Sequence, residues 1–214
     1  MDRASLSAEI VETALALTPA GLGVGTAGNV SARYEDGMLI TPSGLPYEKM
    51  APEDIVFVDG EGIAEGPLKP SSEWRFHLDI YRARSEASAI VHCHSPYATA
   101  LACLREGIPA FHYMVAVAGG ADIRCSDYAT FGTQGLSNVI LEAMHDRKAC
   151  LMANHGQVAF GDTQQKALGL AQEVEALAQQ YLLARKAGHP VVLEAEEMVD
   201  VLERFKTYGV QEEE

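Results

Sequence analysis

From Asp162 to about Gly188 the chain places Ala167, Leu170, Val174, Leu177 and Tyr181 in one stripe at the spacing of an α-helix. A helix that long with one apolar face has to be covered, by its own core or by an oligomer seam. Asp162 with Gln165 reads as a capping-box-like start. Just before it, the apolar runs KACLMA and VAFG flank Asn154-His155-Gly156 and read as two strands joined by a turn. Strands feeding a long one-sided helix place the chain in the α/β class.

The rest of the chain agrees with that class. A helix is expected over residues 7–17, with Ile10, Val11, Ala14 and Leu15 on one side and Pro19 and Gly21 closing it. A glycine-rich stretch follows and predicts strands over 30–34 and 38–41 joined by a turn at 35–37, then a strand over 55–59 and a turn at 60–62. Ser71 and Ser72 are expected to cap the helix of SSEWRFHLDIYRAR, on which Trp74, His77, Ile80 and Tyr81 recur at helical spacing. Residues 89–94 read as a strand, and Ser95-Pro96 as the cap and first turn of the next helix. Helices are also expected over 133–146 and 194–205, while 109–135 has no clear period. With no repeat, linker or low-complexity segment, residues 1–214 read as one domain.

Composition narrows the function classes. The net charge of −14 argues against a nucleic-acid or anionic-membrane partner, because phosphate-rich surfaces need a basic face. No apolar run approaches the roughly 20 residues that span a bilayer, and the N-terminus lacks a signal's apolar stretch, so a cytoplasmic protein is expected. Cys93, Cys103, Cys125 and Cys150 form no CxxC pair and read as reduced core residues and not as a disulfide framework.

Side chains alternate across a strand, so His92 and His94 project from one face while Cys93 points away. Two imidazoles held that way form a rigid clamp for zinc or a neighbouring divalent metal. His155, between a strand and a glycine, is a candidate third ligand, and Glu73, at a helix start, a candidate fourth. His77 and His112 are candidates for the same pocket, whereas His145 and His189 read as solvent-facing. Singly, each of these residues also fits an ordinary structural role, and spacing alone leaves both readings open. The same holds for three segments rich in small hydroxyl and amide groups: residues 25–29, residues 41–44, and Ser71-Ser72. Each fits a plain turn or cap, but together their N–H and O–H donors could cradle a phosphate without a cationic side chain. None has a Walker A or dinucleotide-binding pattern.

GTAGNVS, TPSG, PSSEWRFH, the His92-Cys93-His94 strand, IPAFHYM, YATFG, NHG and FKTYG occur in one order along nearly the whole chain. That order resembles the class II aldolase and epimerase family. The resemblance implies a three-layer α/β/α fold around a mixed, mostly antiparallel sheet, assembled as a homotetramer with active sites at subunit interfaces. It implies one Zn2+ per subunit, other divalent metals being possible, on Glu73, His92, His94 and His155. It places a phosphate pocket on Thr26, Asn29, Ser43, Gly44, Ser71 and Ser72, and apolar walls for an aldehyde on Phe131 and Phe205. Glu73 is implied as general base, Tyr113 as an acid from a neighbouring subunit, and Tyr208 as a second tyrosine near the C-terminus.

The implied reaction is reversible cleavage of L-fuculose 1-phosphate, or a similar ketose 1-phosphate, to dihydroxyacetone phosphate and L-lactaldehyde. Related chemistries on this fold are ribulose-5-phosphate 4-epimerisation and dehydration of methylthioribulose 1-phosphate. The epimerase branch usually resembles an aspartate at the position of Glu73, so glutamate favours the aldolase. A non-catalytic module like the adducin head is disfavoured, since all four ligand positions and Tyr113 are present.

Overall fold

A computed structural model describes residues 2–206. Helix α1 spans Arg3–Leu17 and starts earlier than periodicity suggests, because the Asp2 carboxylate accepts a hydrogen bond from the Ser5 N–H at 2.8 Å. Its buried face is Ile10, Val11, Ala14 and Leu17; Leu15, expected on that face, is instead exposed. Strands β1 (Asn29–Tyr34), β2 (Gly37–Ile40), β3 (Val56–Val58) and β4 (Ala64–Glu65) form a meander. The two-residue β4 escaped the sequence reading because both its residues are exposed and it carries no apolar alternation.

After helix α2 (Trp74–Ala83), strand β5 (Ala89–Cys93) enters the sheet beside β1, and helix α3 (Pro96–Leu104) follows with Pro96 in its first turn. A 3-10 turn, Tyr113–Ala118, organises the segment that has no sequence period. Helix α4 (Gln134–Ala143) leads to β6 (Ala149–Met152), β7 (Gly156–Gly161), α5 (Gln164–Ala187) and α6 (Ala195–Phe205). The sheet order is β4-β3-β2-β1-β5-β7-β6, with every strand ladder antiparallel and one isolated parallel bridge, Cys125 to Leu151.

Alternation along the strands splits the interior into two cores. Val30, Ala32, Leu39, Val91, Cys93 and Ala159 face α1, α3 and α5, whereas Met38, Ile40, Val58, Ile90, Val158 and Phe160 face α2 and α4. The result is the expected three-layer α/β/α arrangement. The long stripe that opened the sequence reading is core: Ala167, Leu170, Ala171, Val174, Leu177 and Ala178 of α5 are buried against the sheet side of that layer. A fully buried leucine such as Leu177 contributes about 2 kcal/mol in this setting. Tyr181, at the end of the stripe, is only partly buried and lies against Phe111, ring centroids 5.1 Å apart.

Two expected caps are displaced. Thr163, not Asp162, caps α5 by accepting from the Lys166 N–H, while Asp162 pairs with the Lys166 ammonium at 2.7 Å. Ser71 and Ser72 precede the cap of α2, which is Glu73 itself. Ser71 still orders that turn, since its Oγ accepts from the Glu73 N–H and its carbonyl accepts from the Trp74 N–H. The shift matters chemically, because it puts a carboxylate at a helix N-terminus and aims two hydroxyls ahead of it.

Candidate metal centre

Three elements converge at one end of the sheet. Asn29, the first residue of β1, pairs across the ladder with His92 near the end of β5, so their side chains share a face. His94 lies just past the end of β5, and His155 sits in the turn between β6 and β7. Asn154 takes a left-handed backbone (φ 54°) to make that turn, a conformation asparagine tolerates better than most residues. Gly156, which follows His155, has to be small. A Cβ on Gly156 would stand 2.5 Å from the Cys93 carbonyl oxygen and 2.9 Å from His94 Cδ2. Gly156→Ala is therefore expected to push β7 off β5 and displace His94 and His155 together. The expected result is a roughly 10–100-fold loss of metal affinity, read by competitive titration against a chelating dye; unchanged affinity would contradict it.

The ligand atoms of Glu73, His92, His94 and His155 all lie within 4.8 Å of one another. His92 Nε2 is 3.1 Å from Glu73 Oε2 and 3.1 Å from His94 Nε2, and His155 Nε2 is 3.2 Å from Glu73 Oε1. His92 Nδ1 donates to the Gln157 carbonyl at 2.8 Å, which orients the ring and leaves Nε2 as the ligand atom. Glu73 Oε1 is buried and accepts no hydrogen bond, its near neighbour being His155 Nε2. Three imidazoles and a carboxylate whose ligand atoms converge on one point are a donor set that fits a divalent cation.

The electrostatics agree. Burial, then the neighbouring His92, push His94 and His155 down to about 4, so both rings are neutral ligands near pH 7. Burial opposes the ionised form of Glu73, but His92, His155 and the Asn29 amide hold it well below the usual carboxylate range. Burial likewise opposes a charged His92, while Glu73 and the Gln157 carbonyl raise its pKa. The carboxylate that favours a proton at His92 Nε2 also favours a cation there, and binding the cation displaces the proton.

A cleft of about 350 Å³ opens over this group. All of Thr26, Asn29, Ser43, Gly44, Ser71 and Ser72 line it, as the sequence reading expects, together with Phe131, His94, His155 and Glu73. No lysine or arginine is among the lining residues. The Gly28 backbone lets the first loop close down: φ is 107°, and a Cβ there would meet the His92 carbonyl oxygen at 2.6 Å. Tyr47 fixes the same loop by donating from its hydroxyl to the Gly28 carbonyl at 2.8 Å.

Other expected site residues are placed elsewhere. Tyr113 is half-exposed at the start of the 3-10 turn, stacked on His112, and does not line the cleft of its own chain. Phe205 packs with Met198, Leu202, Ala110 and Ala116 where α6 meets that turn. Tyr208 lies outside the described residues. His112 caps the 3-10 turn by accepting from the Met114 N–H, whereas His77 stands directly behind the site. His145 and His189 are exposed. Sequence reasoning did not single out Tyr128 and Asn154 as cleft residues; the only signal for Tyr128 was its place in YATFG. It also missed Ser31, Tyr47 and Tyr81, whose roles depend on contacts between distant segments.

Comparison with known proteins places these features in context. The family described as class II aldolase and adducin N-terminal domain matches residues 8–182. A 5-methylthioribulose-1-phosphate/5-deoxyribulose-1-phosphate aldolase from Rhodospirillum rubrum is 55% identical over 207 residues, covering 97% of this chain and 94% of the relative. An L-fuculose phosphate aldolase from Escherichia coli K12 is 52% identical over 215 residues, covering 100% of both chains. A solved L-fuculose 1-phosphate aldolase superposes with a TM-score of 0.91 at 43% identity, over 94% of this chain and 96% of that one.

Proposed function

Because the chain belongs to the class II aldolase and adducin N-terminal domain family and is a metal-dependent aldehyde-lyase, we propose that it cleaves L-fuculose 1-phosphate reversibly to dihydroxyacetone phosphate and L-lactaldehyde, with zinc as its metal. The observation that carries this reading is the juxtaposition in one cleft of the Glu73–His92–His94–His155 set and a wall of uncharged hydroxyl and N–H donors. A histidine-rich set with one carboxylate favours zinc over harder cations. Held by His92, His94 and His155, with Glu73 as a displaceable fourth ligand, the cation would supply Lewis-acid stabilisation of the charge that develops as the carbon–carbon bond breaks.

The chain's own groups account for the remaining steps. Thr26, Ser43, Ser71, Ser72, the Gly44 backbone and the N-terminus of α2 hold the phosphate through hydrogen bonds and the helix dipole, and so fix the reacting carbons near Glu73. In synthesis Glu73 Oε1 takes a proton from the hydroxymethyl carbon of dihydroxyacetone phosphate, leaving the electron pair on the resulting enediolate. Tyr113 of a neighbouring subunit in a homotetramer protonates the aldehyde oxygen; its half-exposed position away from the cleft of its own chain supports that reading. Phe131, 65% exposed at the cleft, offers an apolar wall to the aldehyde's methyl end.

A second reading is favoured by the 55% identity to the Rhodospirillum rubrum aldolase. Cleaving 5-deoxyribulose 1-phosphate releases the same dihydroxyacetone phosphate with acetaldehyde, and the 5-methylthio analogue releases methylthioacetaldehyde. The phosphate wall would serve all three substrates, and the Phe131 side would bear the difference. Dihydroxyacetone phosphate release should be assayed with each sugar phosphate on the zinc-restored enzyme. Release from L-fuculose 1-phosphate is expected. Release only from the pentulose phosphates would transfer the assignment to the second reading, and epimerised or dehydrated products without cleavage would sink both.

A further inference from the structure

Behind Glu73 runs a buried chain of polar groups that crosses from α2 to β1 twice. The Tyr81 hydroxyl is 2.8 Å from Ser31 Oγ, and Ser31 Oγ is 2.7 Å from His77 Nδ1. His77 Nε2 is 2.5 Å from Asn29 Oδ1, and Asn29 Nδ2 donates to Glu73 Oε2 at 3.0 Å. Tyr81, Ser31, His77 and Asn29 are all buried, the first three at 2% exposure or less. None of Tyr81, Ser31 and His77 touches the cleft.

Hydrogen-bond chemistry allows this chain one direction. A carboxylate only accepts, so Asn29 has to turn its NH2 toward Glu73 and its oxygen toward His77. That oxygen needs a donor, so His77 carries its proton on Nε2 and accepts on Nδ1. Ser31 then has to donate to Nδ1, and Tyr81 to Ser31. Burial, the largest influence on His77, pushes it down to about 3, so the ring stays neutral and this tautomer is consistent throughout. The consequence at Glu73 is asymmetric: Oε2 accepts from Asn29 and has His92 Nε2 at 3.1 Å, while Oε1 accepts no hydrogen bond and has His155 Nε2 beside it at 3.2 Å.

We propose that Tyr81, Ser31 and His77 form a one-way hydrogen-bond chain that acts through Asn29 to pin one oxygen of Glu73 and present the other for proton transfer. His77 is thus a positioning residue for the reaction, not part of the substrate pocket, and this role rests on Glu73 being the base. In the step it serves, the substrate C–H bond breaks, the proton passes to Glu73 Oε1, and the electron pair remains on the enediolate. Because Asn29 also lines the phosphate wall, the chain couples phosphate position to base orientation through one amide.

The test is solvent-deuterium exchange into the hydroxymethyl carbon of dihydroxyacetone phosphate without aldehyde, followed by NMR on the metal-loaded enzyme. Ser31→Ala, Tyr81→Phe, His77→Gln and the Ser31→Ala/His77→Gln double variant should be compared, with metal content and KM measured in parallel. Ser31→Ala and His77→Gln are expected to slow exchange about five- to tenfold, the rate equivalent of one hydrogen bond. Metal content should be unchanged and KM within about twofold, since typical binding contacts are untouched. The double variant should be no slower than His77→Gln, because links of one chain are not additive. Tyr81→Phe removes a single oxygen and gives the reading that survives if the other variants fold poorly. Unchanged exchange in all variants overturns the proposal, as does slowing that only tracks lost metal or raised KM. No exchange in the unaltered enzyme removes Glu73 as base, and the positioning role with it.

Discussion

Glu73→Gln is expected to lower kcat by about 10²–10⁴-fold, the usual contribution of a positioned general base, while a substantial share of the metal remains bound. Glutamine keeps the shape and one carbonyl oxygen, so the Asn29 N–H still finds an acceptor and His92, His94 and His155 still converge. What it lacks is a basic oxygen where Oε1, free of any hydrogen bond, faces the cleft group. KM for the phosphorylated substrate should stay within a fewfold, because Ser43, Gly44, Ser71 and Ser72 are untouched. Metal analysis beside steady-state kinetics separates the two roles given to Glu73. Near-normal turnover would remove it as the base, and loss of all metal would make it chiefly a ligand.

Chelation is expected to abolish cleavage and to lower the Tm by roughly 8–16 °C, given free metal about a thousandfold above its Kd. Four ligand atoms within 4.8 Å, at the junction of α2, β5 and the β6–β7 turn, explain why stability responds along with activity. A cation bound there ties three segments far apart in sequence, and its binding free energy adds to that of the folded state. Added zinc should restore both properties. Scanning calorimetry with and without chelator, paired with the dihydroxyacetone phosphate assay, gives the comparison. An unchanged Tm would mean that the group does not hold a metal in solution.

Much of the centre could be read before any coordinates. The period of two puts His92 and His94 on one face and sends Cys93 into the opposite core, which the structure reproduces. The family resemblance carried by the order of the motifs, not the residues taken singly, marked Thr26, Asn29, Ser43, Gly44, Ser71 and Ser72, all of which line one cleft. Helix starts were less legible. Ser71 and Thr163 both order a helix entry, but which residue is the cap depends on backbone torsions that composition does not specify.

What local pattern determines in this protein is the α/β class, the apolar stripe of α5 and the shared face of His92 and His94, because periodicity is a local property. The tertiary structure decides what those side chains do together. It turns a stripe that suits either a core or a seam into core, through packing on β5 and β7. It also joins Tyr81, Ser31, His77 and Asn29 into one directed chain ending on Glu73. That direction depends on donors and acceptors supplied by two elements about 45 residues apart in sequence, and so it exists only once β1 and α2 are packed together.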